Sequence, residues 1–248
     1  NELLKNINNN TSITEALEVI QTDFQYTEYQ MHLIYIFTLS FLKQRMFNND
    51  EQFLNDYNIL IKYLDKQHSF DIRKYFSSTL HKSNELKLLI LGPGGVGKSF
   101  LVILFSKFIE KKYGLNEFKW KSTAFTNTHS KLLPNNETIH KSLMVGINSN
   151  KWKSLMELKP QFQHKHQNID TFVIDEVSLI PGRLYKLFDQ CINNQFHTII
   201  LGDFYQLNPV KCKFTAAQYL HNAQYLHNEK SILVYNLQNC TNFRHTNE

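Results

Sequence analysis

Leu86-Lys-Leu-Leu-Ile-Leu91, then Gly92-Pro-Gly-Gly-Val-Gly-Lys-Ser99, then Phe100-Leu-Val-Ile-Leu104 form one continuous stretch. An apolar run of strand length enters a glycine loop, and the loop closes on Lys98-Ser99 and opens an apolar helix. The spelling is G-x-x-x-x-G-K-[ST] between strand and helix, the context in which such a loop cradles phosphate. Gly92, Gly94, Gly95 and Gly97 are expected to take φ > 0, so that backbone N–H groups turn inward on an anion. The helix beginning near Lys98 adds its positive dipole end. Lys98 is expected on the β- and γ-phosphates, with the Ser99 hydroxyl placed to hold Mg²⁺. The nucleotide-holding set is Gly92, Pro93, Gly94, Gly95, Val96, Gly97, Lys98, Ser99 and Phe100. An ordinary glycine turn is the competing reading, and the full spelling with correct flanks weighs against it. The loop implies a nucleoside triphosphate and Mg²⁺, without saying what work the triphosphate does.

A chain of 248 residues is long enough for one large domain or two small ones. It begins at Asn1 and stops at Glu248 without a terminal signal, and is read as a piece of a longer polypeptide. The formal net charge is +5, and its distribution is uneven. Residues 107–165 hold eleven lysines against four glutamates, whereas residues 1–50 hold three basic and six acidic side chains. A local basic excess suits a polyanion such as nucleic acid; a solvated lysine-rich surface explains the charge equally well. Cys191, Cys212 and Cys240 make an odd number with no C-x-x-C pair, which speaks against a disulfide framework or a cysteine zinc site. His164 and His166 lack a second ligand pair at metal spacing and are read as surface histidines. Tyr29–Leu42, fourteen residues without a formal charge, falls short of the ~20 apolar residues of a membrane span and reads as a buried helix. No membrane association is expected, and the location expected is intracellular: the nucleus or a viral replication site if the source is eukaryotic.

Residues 1–80 read as a helical N-terminal region, and 81–248 as an α/β core. Ile13–Ile20 is amphipathic behind a Thr11/Ser12 cap signal. Tyr29–Phe47 is strongly apolar, Phe53–Leu64 carries another apolar face, and Asp71–Leu80 is a candidate fourth helix. From Leu86 the expected strands are 86–91, 118–125, 170–174, 197–201 and 231–235. The expected helices are 98–113, 138–144, 183–194 and 215–228. Strands separated by helices imply βαβ units and a parallel sheet. With a phosphate loop after the first strand, the expected fold is a RecA-like P-loop NTPase core. The exact repeat Ala217–Asn222 and Ala223–Asn228 is read as a small duplication without assigned function.

Thr171-Phe-Val-Ile-Asp175-Glu176 is an apolar strand ending in two acids. In a parallel sheet the carboxyl ends of the strands form the ligand crevice. Asp175 is expected to help hold Mg²⁺, and Glu176 to orient and deprotonate the attacking water. Leu201-Gly-Asp-Phe-Tyr-Gln206-Leu-Asn-Pro-Val210 follows another apolar run, and the neutral amide of Gln206 suits a γ-phosphate sensor.

This ordered set resembles superfamily-one DNA helicases of the 5′-to-3′ group, closest to the PIF-one-like (petite integration frequency) family and the helicases of Helitron transposons. The resemblance covers about Leu86–His245. Gly92–Ser99 resembles motif I, Ser122–Thr128 motif Ia, and Glu137-Thr-Ile-His140 the adjoining element. Asp175-Glu-Val-Ser178 resembles motif II, Gly202–Val210 motif III, and Asn242-Phe-Arg244 motif IV, whose arginine approaches the γ-phosphate. The glycine usual in motif Ia is Asn127, the small residues after it are His129 and Ser130, and the first proline of the usual motif III pair is Asn208. The resemblance implies ATP as the nucleotide, and Lys98, Asp175, Glu176, Gln206 and Arg244 as its catalytic set. It also implies that Thr126, Thr138 and His140 touch a single-stranded DNA backbone, within the basic excess that includes Lys121 and Lys141. Thr138 as a plain helix cap and His140 as a packed ring are the competing readings. Gln52 is a candidate adenine reader, with plain surface as its alternative. No later helicase motif is present, so a downstream second RecA-like domain is expected as partner. The piece alone is expected to bind Mg-nucleotide weakly and to show almost no ATPase. Two further readings are a P-loop ATPase that remodels protein without unwinding, and an inactive transposon or viral remnant that only binds nucleotide or DNA.

Overall fold

The computed structural model of the chain describes residues 4–46, 51–66, 87–114, 119–126, 133, 135–148, 150, 152–192, 195–205, 212–220 and 233–237. The candidate helix Asp71–Leu80 and most of the duplicated hexapeptide lie outside these residues. The chain divides into two units, Asn1–Asn84 with Phe100–Phe118, and Glu85–Ser99 with Lys119–Glu248.

The second unit is built on a six-stranded sheet. Its strands are β1 (Lys87–Leu91), β2 (Trp120–Ala124), β3 (Asn136–Thr138), β4 (Thr171–Ile174), β5 (His197–Gly202) and β6 (Leu233–Asn236). Their order is β3-β2-β4-β5-β1-β6, and every pairing is parallel. All four residues of β4 are buried, and five of the six in β5. Central parallel strands are covered on both faces, which is why they read as continuous apolar runs rather than alternating ones. β3 is an edge strand of three residues, Asn-Glu-Thr, with no intrinsic strand signal. Its pairing with β2, Ser122 beside Asn136 through Ala124 beside Thr138, makes it a strand.

The helices of this unit are α5 (Ile139–Ser142), α6 (Leu155–Lys165) and α7 (Gly182–Ile192), and residues 216–220 are also helical. Helix α6 is absent from the sequence expectation because Pro160 stands inside it. The proline ring removes the amide that would bond to the Met156 carbonyl. A capping box of Ser154 and Glu157 starts the helix, and Leu158 and Phe162 anchor it in the core. That core is aromatic: Phe162 stacks on Phe172 at 5.4 Å, and Phe188 and Phe196 meet Phe172 edge-on at 5.4 and 5.1 Å.

The first unit holds α1 (Ile13–Phe24), α2 (Glu28–Met46), α3 (Glu51–Leu64) and the body of α4 (Lys98–Tyr113). Ser12 opens α1 through a capping box with Glu15. Helix α2 is buried almost all round from Gln30 to Leu42, as an evenly apolar helix must be. Phe41 packs against Phe53 at 5.8 Å and Tyr113 at 5.7 Å, and Phe37 against Phe105 at 5.2 Å. Among these rings lies a buried ion pair: Lys112 Nζ is 3.3 Å from Asp56 Oδ2, which also accepts a 2.9 Å bond from the Tyr113 hydroxyl. Among the described residues no helix is long and apolar enough to cross a membrane.

Candidate functional site

All six strands run parallel, so their carboxyl ends share one edge of the sheet. That edge carries the phosphate loop after β1, Thr126 after β2, Thr138 closing β3, Asp175 after β4 and Asp203 after β5.

The loop takes φ of +91° at Gly95 and +84° at Gly97, the left-handed region that glycine enters without steric cost. Gly92 and Gly94, expected to do the same, have ordinary φ. Gly92 is needed for space instead: a Cβ there would stand 3.0 Å from the Leu237 Cβ and 3.2 Å from Val96 Cγ2. The Lys98 ammonium folds back over the loop and donates to the carbonyls of Gly92 at 2.7 Å and Pro93 at 2.9 Å. Phe100, the last residue of the expected nucleotide-holding set, is 40% exposed and its ring stands 6.0 Å from that of Phe24.

Ser99 and Asp175 meet although 76 positions separate them: the Ser99 hydroxyl donates to Asp175 Oδ2 at 3.0 Å. Asp175 Oδ1 accepts the Glu176 amide at 2.9 Å. The carboxyl is buried, and burial, followed by the neighbouring Glu176 charge, raises its pKa. The Ser99 and Glu176 hydrogen bonds and the Lys98 charge oppose that rise. A hard carboxylate and hydroxyl side by side, with burial disfavouring the charged form, fit a divalent cation with oxygen ligands. Glu176 is partly exposed and stands at φ +52°, ψ +46°, a left-handed conformation uncommon for a residue other than glycine. Gly202 ends β5 where a Cβ would come 2.6 Å from Val177 Cγ1, so any side chain there would push against the turn that follows β4. Asp203 is buried and turns the chain by accepting the Tyr205 amide at 3.0 Å. Gln206 and Arg244 lie outside the described residues. Gln52 is exposed on α3, in the first unit.

Farther along the same edge, Thr126 is partly buried just past β2. The Thr138 hydroxyl caps α5 by accepting the Lys141 amide at 3.3 Å. The His140 ring lies 5.7 Å from that of Phe125, and burial lowers its pKa. Lys141 is exposed, whereas Lys121 Nζ stands 3.8 Å from the buried Glu137 carboxylate. Glu137 also meets Lys165 Nζ at 3.3 Å, a partner 28 residues away that no local spacing announces. The reading of His166 as a surface residue is corrected: it is 2% exposed, wedged against Phe162 and Phe172, with Nε2 3.2 Å from the Ser142 hydroxyl. The Phe162 anchor that puts α6 on the core carries His166 inward with it; His164 stays exposed.

The parallel six-stranded sheet with the phosphate loop after β1 defines the class: a P-loop NTPase domain of RecA-like fold. A family model described as PIF1-like helicase matches residues 66–248. The chain belongs to the PIF1-like helicase family. Among solved structures it is similar to the Pif1 helicase from Candida albicans, with 20% identity, TM-score 0.44, and coverage of 62% of this chain and 36% of that one. It is also similar to Bacteroides Pif1 bound to ssDNA, with 17% identity, TM-score 0.42, and coverage of 65% and 40%. The chain therefore spans well under half the length of either structure. No curated protein matches the chain at a significant level.

Proposed function

We propose that the chain is the first motor domain of an ATP-dependent DNA helicase that translocates on single-stranded DNA. In this reading residues 81–248 are the RecA-like ATP-binding domain and 1–80 a helical N-terminal region. The observation that carries it is the meeting of Ser99 and Asp175 at 3.0 Å beside Lys98, since splitting a triphosphate requires a phosphate cradle and a cation site at one place. Magnesium, when bound, neutralises charge on the phosphates. Lys98 exchanges its loop carbonyls for phosphate oxygens, Ser99 and Asp175 hold the cation, and Glu176 takes the proton of the attacking water. Gln206 and Arg244 complete the set as sensor and charge stabiliser. Thr126, Thr138 and His140 grip the DNA backbone, with Lys121 and Lys141 adding charge. Duplex unwinding belongs to the longer protein, in which a second RecA-like domain closes the cleft.

Lys98→Ala removes the ammonium and should weaken Mg-ATP binding sharply, by ~10-fold or more, the equivalent of a charge-assisted bond. Isothermal calorimetry on wild type and variant checks this; equal affinities would reject the loop as the nucleotide site.

A further inference from the structure

Glu137 lies in the middle of β3 with its side chain 4% exposed. A carboxylate at that depth is retained only when paired. Lys165 Nζ stands 3.3 and 3.4 Å from its two oxygens, and Lys121 Nζ 3.8 Å from Oε2. The same Lys165 ammonium donates to the carbonyls of Lys141 at 2.6 Å and Ser142 at 3.4 Å. These carbonyls close the last turn of α5, where that of Lys141 also accepts the Met144 amide at 3.1 Å. His166 Nε2 adds an approach of 3.2 Å to the Ser142 carbonyl. At the other end Thr138 caps the turn. A four-residue helix does not hold its own shape. This one is tied to β3 through Glu137 and to the end of α6 through Lys165 and His166.

We propose that Glu137 and Lys165 are positioning residues for single-stranded DNA binding: the pair fixes the turn that presents Thr138, His140 and Lys141, and touches no nucleic acid itself. The proposal rests on the DNA face assigned above. An acid within a basic face ordinarily repels a polyanion. Here its charge is taken up internally, by Lys165 and in part by Lys121.

Fluorescence anisotropy with a labelled oligo(dT) over a salt series tests this, with binding of a fluorescent Mg-ATP analogue as the check on folding. Glu137→Gln should weaken oligo(dT) binding about tenfold, the equivalent of one charge-assisted bond, whereas loss of a negative charge by itself would tighten it. Lys165→Met should weaken it similarly with the salt slope unchanged, because a lysine in direct phosphate contact would take about one unit from that slope. Lys165→Arg should restore most of the affinity. Unchanged or tighter binding in Glu137→Gln, or a lowered slope in Lys165→Met, would overturn the proposal. If the double variant Thr138→Ala, His140→Ala binds like wild type, the DNA face is misplaced and the proposal falls with it. If that variant binds weakly while Glu137→Gln and Lys165→Met do not, the positioning role alone is lost. Glu137→Gln keeps the side-chain shape, so the test stands even where Lys165→Met does not fold.

Discussion

Asp175, at the proposed cation site, carries a local cost in stability. Its carboxyl is buried beside Glu176, and the folded-state pKa lies above the ordinary carboxylate value. The charged form is therefore disfavoured in the fold. The penalty is present at neutral pH and eases as pH falls through the folded pKa. Asp175→Asn removes the charge and keeps the Ser99 partner. The nucleotide-free variant should melt higher than wild type, by ~2–4 °C for each kcal/mol recovered, and should lose the Mg²⁺-dependent part of its nucleotide affinity. Differential scanning fluorimetry with and without Mg-ATP measures both, and a lower melting temperature without nucleotide would contradict the first. Glu176 beside it adds a second local cost, its φ of +52°.

At the scale of elements, α3 and the body of α4 are joined by Asp56, Lys112 and Tyr113. Burial, then the Asp56 charge and its hydrogen bond, hold the Tyr113 hydroxyl far above its ordinary range, so it stays a donor. Breaking a buried pair from one side leaves the other charge stranded, and Asp56→Ala should cost ~3–5 kcal/mol. Replacing both charges with apolar groups should cost much less, since the desolvation penalty of both ions disappears together. Urea denaturation followed by tryptophan-independent circular dichroism at the helical band separates the two outcomes. Comparable losses in the single and double variants would mean that the pair matters for shape and not for charge. Elements also differ in how plainly the sequence announces them. Helix α4 runs from Lys98 to Tyr113, the limits expected from the loop and its apolar periodicity. Helix α6 hides behind Pro160, and β3 behind three polar residues. Neither states its type locally; the aromatic core and the β2 ladder supply it.

At the scale of the whole molecule, histidines that are buried (His32, His166) or half-buried (His140, His197) link folding to pH. Burial lowers the pKa of His197 to about 4, and lowers those of His32, His140 and His166 as well. The sign follows from proton counts. Between the unfolded value of about 6.5 and the folded value, the unfolded chain binds more protons, so stability falls as pH falls through that window. Above it these groups are neutral in both states and contribute no slope. His197 alone accounts for up to ~2 kcal/mol at pH 5, less where solvent reaches the ring. Wild type should unfold at distinctly lower urea at pH 5 than at pH 7.5, and His197→Gln should flatten part of that difference. An unchanged slope in His197→Gln would remove this ring from the linkage.

The sequence by itself determined the class of fold and the list of site residues worth examining. The phosphate-loop spelling, the Asp175-Glu176 strand end and the order of motifs are local signals, because glycine conformation, strand apolarity and helix caps act over a few residues. Tertiary structure decided what depends on long-range contact. It brought Ser99 to Asp175 across 76 positions and Lys165 to Glu137 across 28, and it turned His166 from an expected surface ring into a buried one. It also assigned Gly92 its steric role against Leu237, where the sequence suggested a backbone one. Charge and spacing count residues along the chain. Burial and pairing are set by which strands lie side by side, and that order appears only when the sheet is assembled.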